Sequence, residues 1–127
     1  MRSVKISNLG RVLLLNILVK IEKTGSSILA IKQIRDLIPK IGFNANEIEE
    51  MGIEENEDKS ISWKSNKEVD YELGDAIYND IKSELIKINE TGKVNFQMLD
   101  FIERILTVDD FKSLTEEKKE VDNSDKN

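Results

Sequence analysis

The sequence predicts a single, mainly helical α+β domain with four to six helices and a small β-hairpin or three-stranded β insertion around residues 53–73. Apolar residues recur at helical spacing along most of the chain, and they alternate with acidic residues in "VDYEL", residues 69–73. One proline among 127 residues leaves the helices few interruptions. We expect a compact domain over residues 1–114 and a flexible acidic and polar tail over residues 115–127.

The first predicted helix is apolar around most of its circumference. It begins after a capping side chain, Ser7 or Asn8, and runs to about Lys23, and no element is assigned before it. Such a helix must be covered on more than one side, so it is either the central helix of the domain or half of an oligomer interface. For the second alternative, a homodimer, Leu14 and Leu18 are the candidate self-association residues.

Capping residues and apolar stripes predict the helices that follow. Ser26 or Ser27 caps the second helix. Asn44, with Glu47 three residues later, forms a variant of the capping box at the start of the third helix. Asn95 caps the last long helix. The predicted segments cover about residues 28–40, 45–51 and 75–90 and the stretch after 95, and a further short turn begins near residues 107–110.

The segment from residue 47 to residue 63 is rich in acidic side chains and ends on the only tryptophan of the chain. Its acids are ligand types that calcium prefers, but they lack the spacing of an EF-hand loop and the glycine at its turn. A solvated hairpin tip and a partner-binding acidic patch both remain open, and no metal site is expected. The candidate partner-binding residues are Glu54, Glu55, Glu57, Asp58, Trp63 and Tyr71.

Charge is distributed unevenly along the chain. Residues 1–41 carry eight lysines and arginines against two acids, whereas residues 42–80 carry three against twelve. Nucleic-acid binding by the basic N-terminal helix pair is therefore an alternative, but the net charge of −6 opposes it. The candidate basic face consists of Lys20, Lys23, Lys32, Arg35 and Lys40.

The chain has no cysteine and no histidine. This composition excludes thiolate catalysis, disulfides, cysteine-ligated metals and histidine-based acid–base chemistry. Nucleophile motifs and phosphate-binding glycine loops are missing, so we expect no enzyme activity and no cofactor. Asn16 interrupts the first apolar run, which is shorter than the roughly 20 residues of a bilayer span, so we expect no membrane insertion and a cytoplasmic location.

Three stretches of the chain resemble small, mostly uncharacterised proteins encoded in phages and prophages of Gram-positive bacteria. They are "LLLNIL" in the first helix, "IRDLIPKIGFNANEIEEMGI" and "ISW…VDYELG". The resemblance spans roughly residues 9–106 and includes no catalytic residues. It implies a phage accessory protein that engages a host or phage protein in the host cytoplasm.

The sequence therefore favours a non-enzymatic protein–protein interaction module whose partner it does not identify. Two alternatives remain open. One is a nucleic-acid-associated protein that uses the basic helix pair, and the other is an oligomeric structural or assembly factor.

Overall fold

The computed structural model describes residues 1–116. Within them the chain forms six helices and four short strands, which confirms the predicted mainly helical α+β class. Residues 117–127, which hold most of the predicted tail, lie outside the described residues. The elements are β1 (Arg2–Ile6), α1 (Asn8–Thr24), α2 (Ile28–Ile41), α3 (Ala45–Met51), β2 (Glu54–Glu55), β3 (Ile61–Ser62), β4 (Val69–Leu73), α4 (Asp75–Glu90), α5 (Phe96–Ile105) and α6 (Val108–Thr115).

The strands form two separate antiparallel pairs. β2 and β3 make the predicted hairpin. β4 is not part of it and pairs instead with β1, where Arg2 lies opposite Leu73 and Ile6 lies opposite Val69. β1 was not predicted, because its apolar alternation spans only Val4 and Ile6 and no turn joins it to its partner strand. The pairing closes the domain by joining the start of the chain to its middle.

Two of the four acids of the hairpin lie on a strand and not at its tip. Glu54 and Glu55 are on β2, and the turn spans residues 56–60. The backbone amide of Asn56 donates to the carbonyl of Ser60 at 2.8 Å, and Lys59 adopts a positive φ of 69° to close the turn. Lysine tolerates this conformation less well than glycine, so the turn is locally strained.

Helix α1 is the central helix of the domain. Of the two explanations for its apolar circumference, burial within the domain is therefore the correct one, and an oligomer interface is not needed. It packs against α2, α4, α5 and β1. Leu14 and Leu18 are 0% exposed, so neither can contact a second copy, and the prediction that they mediate self-association is wrong. No helix within the described residues combines the length and the apolar character needed to cross a bilayer.

A buried arginine on α1 holds the α2–α3 corner in place. Arg11 is 1% exposed, and its guanidinium binds both carboxylate oxygens of Glu47 on α3, at 2.9 and 2.8 Å. It also donates to the carbonyls of Ile41 and Gly42 at 2.9 and 3.1 Å, and it lies 4.1 Å from the ring centroid of Phe43. A bidentate pair whose guanidinium also binds two backbone carbonyls offsets the cost of burying a charge.

Glu47 makes two further contacts. It accepts a hydrogen bond from the backbone amide of Asn44 at 3.1 Å, which completes the predicted capping box of α3, and Lys67 approaches it to 3.5 Å. The hydrogen bonds from Arg11, opposed by burial and assisted by Asn44 and Lys67, lower the pKa of Glu47 from 4.5 to about 2. The carboxylate is therefore a fixed negative charge at neutral pH.

We predict that Glu47→Gln lowers the free energy of unfolding by about 3 kcal/mol at pH 7, because it leaves the buried guanidinium without its counter-charge. In the wild-type protein the pKa of Glu47 is lower in the folded state than its ordinary value of 4.5, so the unfolded state binds more protons. The stabilisation is present above pH 4.5 and is lost as the pH falls towards 2. Urea titrations between pH 7 and pH 2 measure both effects.

The difference between the unfolding free energies of wild type and variant should narrow as the pH falls from 4.5 towards 2, where the folded wild-type carboxylate also becomes neutral. A matched control is Glu49→Gln, which neutralises an exposed glutamate on the same helix and should be nearly silent. Equal losses for the two variants would contradict the assigned role of the pair.

Candidate functional site

The candidate site is a groove between α1 and the β2–β3 hairpin, called here the α1–hairpin groove. It encloses about 350 Å³ and its walls carry more apolar than polar surface. This volume lies within the range typical of ligand pockets. The groove is lined by Leu9, Val12 and Asn16 from α1 and by Lys59, Ser60, Ile61 and Trp63 from the hairpin and the residue that follows it.

The α1 wall is the part of that helix that the other helices leave uncovered. Leu9, Val12 and Asn16 are three or four residues apart, so they lie on one face, and Val19 continues this face at the same spacing. Leu9 and Val12 are half-buried, whereas Asn16 and Val19 are exposed. The apolar circumference of α1 therefore serves the core on most sides and a surface groove on one.

Backbone contacts hold the hairpin against the start of α1. The amide of Lys64 donates to the carbonyl of Met51 at 2.8 Å, which ties the end of the hairpin to α3. The buried side chain of Asn8 donates to the carbonyl of Ser65 at 3.0 Å, and its backbone amide donates to Asn66 at 2.9 Å. Hydrogen bonds therefore join the start of α1 and the end of α3 to the segment that follows the hairpin.

Sequence reasoning placed Trp63 and Tyr71 in one partner-binding set, but the structure separates them. Trp63 is half-buried in the groove next to the exposed Ile61. Tyr71 is 7% exposed and belongs to the hydrophobic core, so its assignment as a partner-binding residue is wrong. Its hydroxyl has no hydrogen-bond partner within residues 1–116, and burial raises its pKa, with Arg11 nearby opposing that shift.

The acidic side chains of the hairpin are exposed to solvent, and within the described part of the chain none of them forms an ion pair. Asp58 instead accepts hydrogen bonds from the amide and the hydroxyl of Ser60, at 3.0 and 2.6 Å, and these bonds lower its pKa. No cluster of three acids within residues 1–116 has the geometry of a metal site. Glu54, Glu55, Glu57 and Asp58 therefore form no ion pair within residues 1–116, and none of them lines the groove.

The candidate basic face does not form one continuous strip. Lys20 reaches the buried Glu84 on α4 at 3.1 Å, and Arg35 lies 4.0 Å from its neighbour Asp36. The remaining members of the set, Lys23, Lys32 and Lys40, are exposed. Two of the five cations therefore form ion pairs with acids of the same chain.

Sequence reasoning missed one exposed aromatic residue, Phe96. It is the first residue of α5 and is 91% exposed. The predicted apolar stripe of α5 ran through Phe101 and Ile102, and Phe96 lies off that stripe at helical spacing. The position of Phe96 outside the apolar stripe was the sequence signal for its exposure, since an aromatic residue on the solvent side of an amphipathic helix is unusual.

No protein-family model matches this sequence, no curated protein has significant sequence similarity to it, and no solved structure matches its fold significantly. The resemblance to phage and prophage proteins therefore stays a prediction. The geometry of the surfaces is the basis for inferring a function. The α1–hairpin groove offers apolar area, hydrogen-bonding groups and the cation of Lys59, and the acids of the hairpin lie outside its lining.

We predict that replacing Glu54, Glu55, Glu57 and Asp58 together with serine changes the free energy of unfolding by no more than about 0.5 kcal/mol. The acids are exposed and have no ion-pair partners within residues 1–116, so their removal takes away only mutual repulsion and the turn contacts of Asp58. Urea unfolding at pH 7 measures the change. A loss well above 1 kcal/mol would mean that the hairpin charges stabilise the fold.

Proposed function

We propose that this chain is a non-enzymatic protein–protein interaction module that binds its partner in the α1–hairpin groove. The observation that supports this proposal is that one hairpin carries an exposed apolar wall of the groove and, outside the lining, four exposed acids that form no ion pair within residues 1–116. Interfaces combine an apolar centre with a charged rim, and this surface has both parts. In keeping with its resemblance to phage accessory proteins, we place its action in the host cytoplasm.

The partner that fits this surface is a protein segment with apolar anchors and flanking lysines or arginines. Its apolar side chains would contact Ile61, Trp63 and Val12, and tryptophan is enriched among residues that dominate interface energy. Its cations would approach the hairpin acids, which raises the association rate and disfavours acidic competitors. Because the acids form no ion pair within residues 1–116, such pairing breaks no existing ion pair there.

Affinity capture from the natural host with the tagged protein, followed by quantitative mass spectrometry, tests the proposal. We expect wild type to recover one protein in stoichiometric amount. The variant with serine at the four hairpin acids should lose it, and Ile61→Ser should weaken recovery. The matched control removes four exposed acids outside the groove: Glu22, Asp36, Glu90 and Glu103 are replaced by serine.

The control variant has the same net charge as the hairpin variant. If the control still captures the partner, the loss of capture by the hairpin variant is due to the position of its acids and not to net charge. Equal recovery by wild type and hairpin variant would overturn the proposed site. Recovery of nuclease-sensitive material that persists at about 0.15 M salt would instead favour the nucleic-acid alternative. Self-association without any captured protein would favour the oligomeric assembly factor.

A further inference from the structure

The sheet of β1 and β4 has two edges, and within residues 1–116 a helix is hydrogen-bonded to only one of them. On the β1 edge, Arg104 of α5 donates to the carbonyl of Lys5 at 3.3 Å, and Arg2 donates to the carbonyl of Ile105 at 2.9 Å. β1 is therefore enclosed between β4 and α5. In the same part of the chain β4 pairs with β1 alone, so its outer edge has no strand beside it.

The outer edge of β4 presents backbone groups of Asp70 and Glu72. In an antiparallel pair, successive residues point their backbone groups alternately towards the partner strand and away from it. The carbonyl of Lys5 is bonded to α5, so it points away from β4, and the same orientation follows for Asp70 opposite it and for Glu72 two residues further along. Within residues 1–116 the backbone of neither acid is hydrogen-bonded to another element. Unpaired groups of this kind are a template for a further strand.

A crevice of about 150 Å³ lies beside one end of this edge, between β4 and α2. It is lined by Glu72 and Gly74 at the end of β4, by Leu37 of α2 and by Ile77 of α4, and α2 adds one acid and one lysine. A space of about 150 Å³ can hold a molecule of benzene, and therefore the end of an apolar side chain. The open edge is thus next to a space that can receive one side chain of an added strand.

We infer that the outer edge of β4 is a strand-addition site, which takes an extended segment of a partner protein as the third strand of the sheet. The backbone of this segment bonds the amides and carbonyls of Asp70 and Glu72, and one of its apolar side chains enters the crevice between β4 and α2. In this mode of recognition main-chain hydrogen bonds supply affinity, and pockets for alternate side chains supply specificity. The crevice shares no lining residue with the α1–hairpin groove, so this is a second and separate surface.

The side chains of Asp70 and Glu72 favour a basic segment and disfavour a second copy of this chain. Both are exposed on the solvent face of the sheet, and within residues 1–116 neither forms an ion pair, although Ser3 donates to Glu72 at 2.7 Å. If two β4 strands paired antiparallel about Tyr71, Asp70 of each copy would lie opposite Glu72 of the other, and like charges directly opposite destabilise a sheet. A segment with lysine or arginine at these two positions is attracted instead.

Binding of synthetic peptides to the full chain tests the inference. The probe is a fluorescein-labelled heptapeptide of alternating lysine and valine, which matches the edge in charge and offers apolar side chains to the crevice. By fluorescence anisotropy we expect it to bind with a Kd below about 1 mM, and a peptide of alternating glutamate and valine should not bind. By NMR, the bound peptide should slow hydrogen exchange at the backbone amides of Asp70 and Glu72.

Methylated peptides separate strand addition from attraction between charges. The lysines that lie opposite Asp70 and Glu72 point their amides towards β4, whereas the amides of the valines point away from it. N-methylation of the lysines should therefore abolish binding, and N-methylation of the valines should leave it intact. Both peptides carry the same charge and the same side chains, so they differ only in which backbone amides can donate.

A charge-reversed edge provides the second control. Asp70→Lys combined with Glu72→Lys should weaken binding of the lysine–valine peptide by about tenfold or more. The matched variant, Glu90→Lys combined with Glu103→Lys, changes two exposed acids away from the edge to the same net charge and should bind like wild type.

Four results would overturn the inference. Equal binding of the two methylated peptides, or equal loss in the two charge-reversed variants, would reduce the interaction to general attraction between charges. Slowed exchange at Ile61 and Trp63, in place of the β4 amides, would assign the peptide to the α1–hairpin groove. A lysine–valine peptide that fails to bind at about 1 mM would leave Asp70 and Glu72 only as protection of the edge against pairing.

Discussion

The buried pair of Arg11 and Glu47 is the interaction on which the arrangement of this domain most depends. A guanidinium that is 1% exposed needs acceptors for its donors, and here it makes two hydrogen bonds to a carboxylate and two to backbone carbonyls. Those acceptors belong to the end of α2 and to α3, while the arginine belongs to α1. One side chain therefore fixes three helices relative to one another.

The position of the α1–hairpin groove follows from that constraint. The hairpin lies between α3 and β4 in the chain. The hydrogen bond from the amide of Lys64 to the carbonyl of Met51 connects the segment after the hairpin to α3. Asn8, one turn before Arg11, holds the other end through Ser65 and Asn66. A change in the α1–α3 contact would therefore move the hairpin wall of the groove without touching any residue that lines it.

The lining of the α1–hairpin groove and the rest of the hairpin differ in charge. Lys59 is the charged residue of the lining, whereas Glu54, Glu55, Glu57 and Asp58 lie on the hairpin outside it and form no ion pair within residues 1–116. The partner proposed for the groove would therefore meet apolar side chains in the groove and negative charge only outside its lining.

The sequence by itself determined the local elements of this protein. The capping box of Asn44 and Glu47, the cap of Asn95 and the period of the apolar stripes located the helices, because these signals act within one or two turns of chain. The hairpin followed from short-range patterns in the same way. These are interactions between residues close in sequence, so they leave recognisable patterns in it.

Only the tertiary structure decided which residues are buried and which strands pair. β1 and β4 are separated by more than sixty residues, so their pairing depends on how α1 and α2 bring them together. Arg11 looked like an ordinary basic residue, and Tyr71, Leu14 and Leu18 looked available at a surface until the packing of α1 enclosed them. Exposure is a property of the whole packed domain, and no local pattern specifies what a distant element will cover.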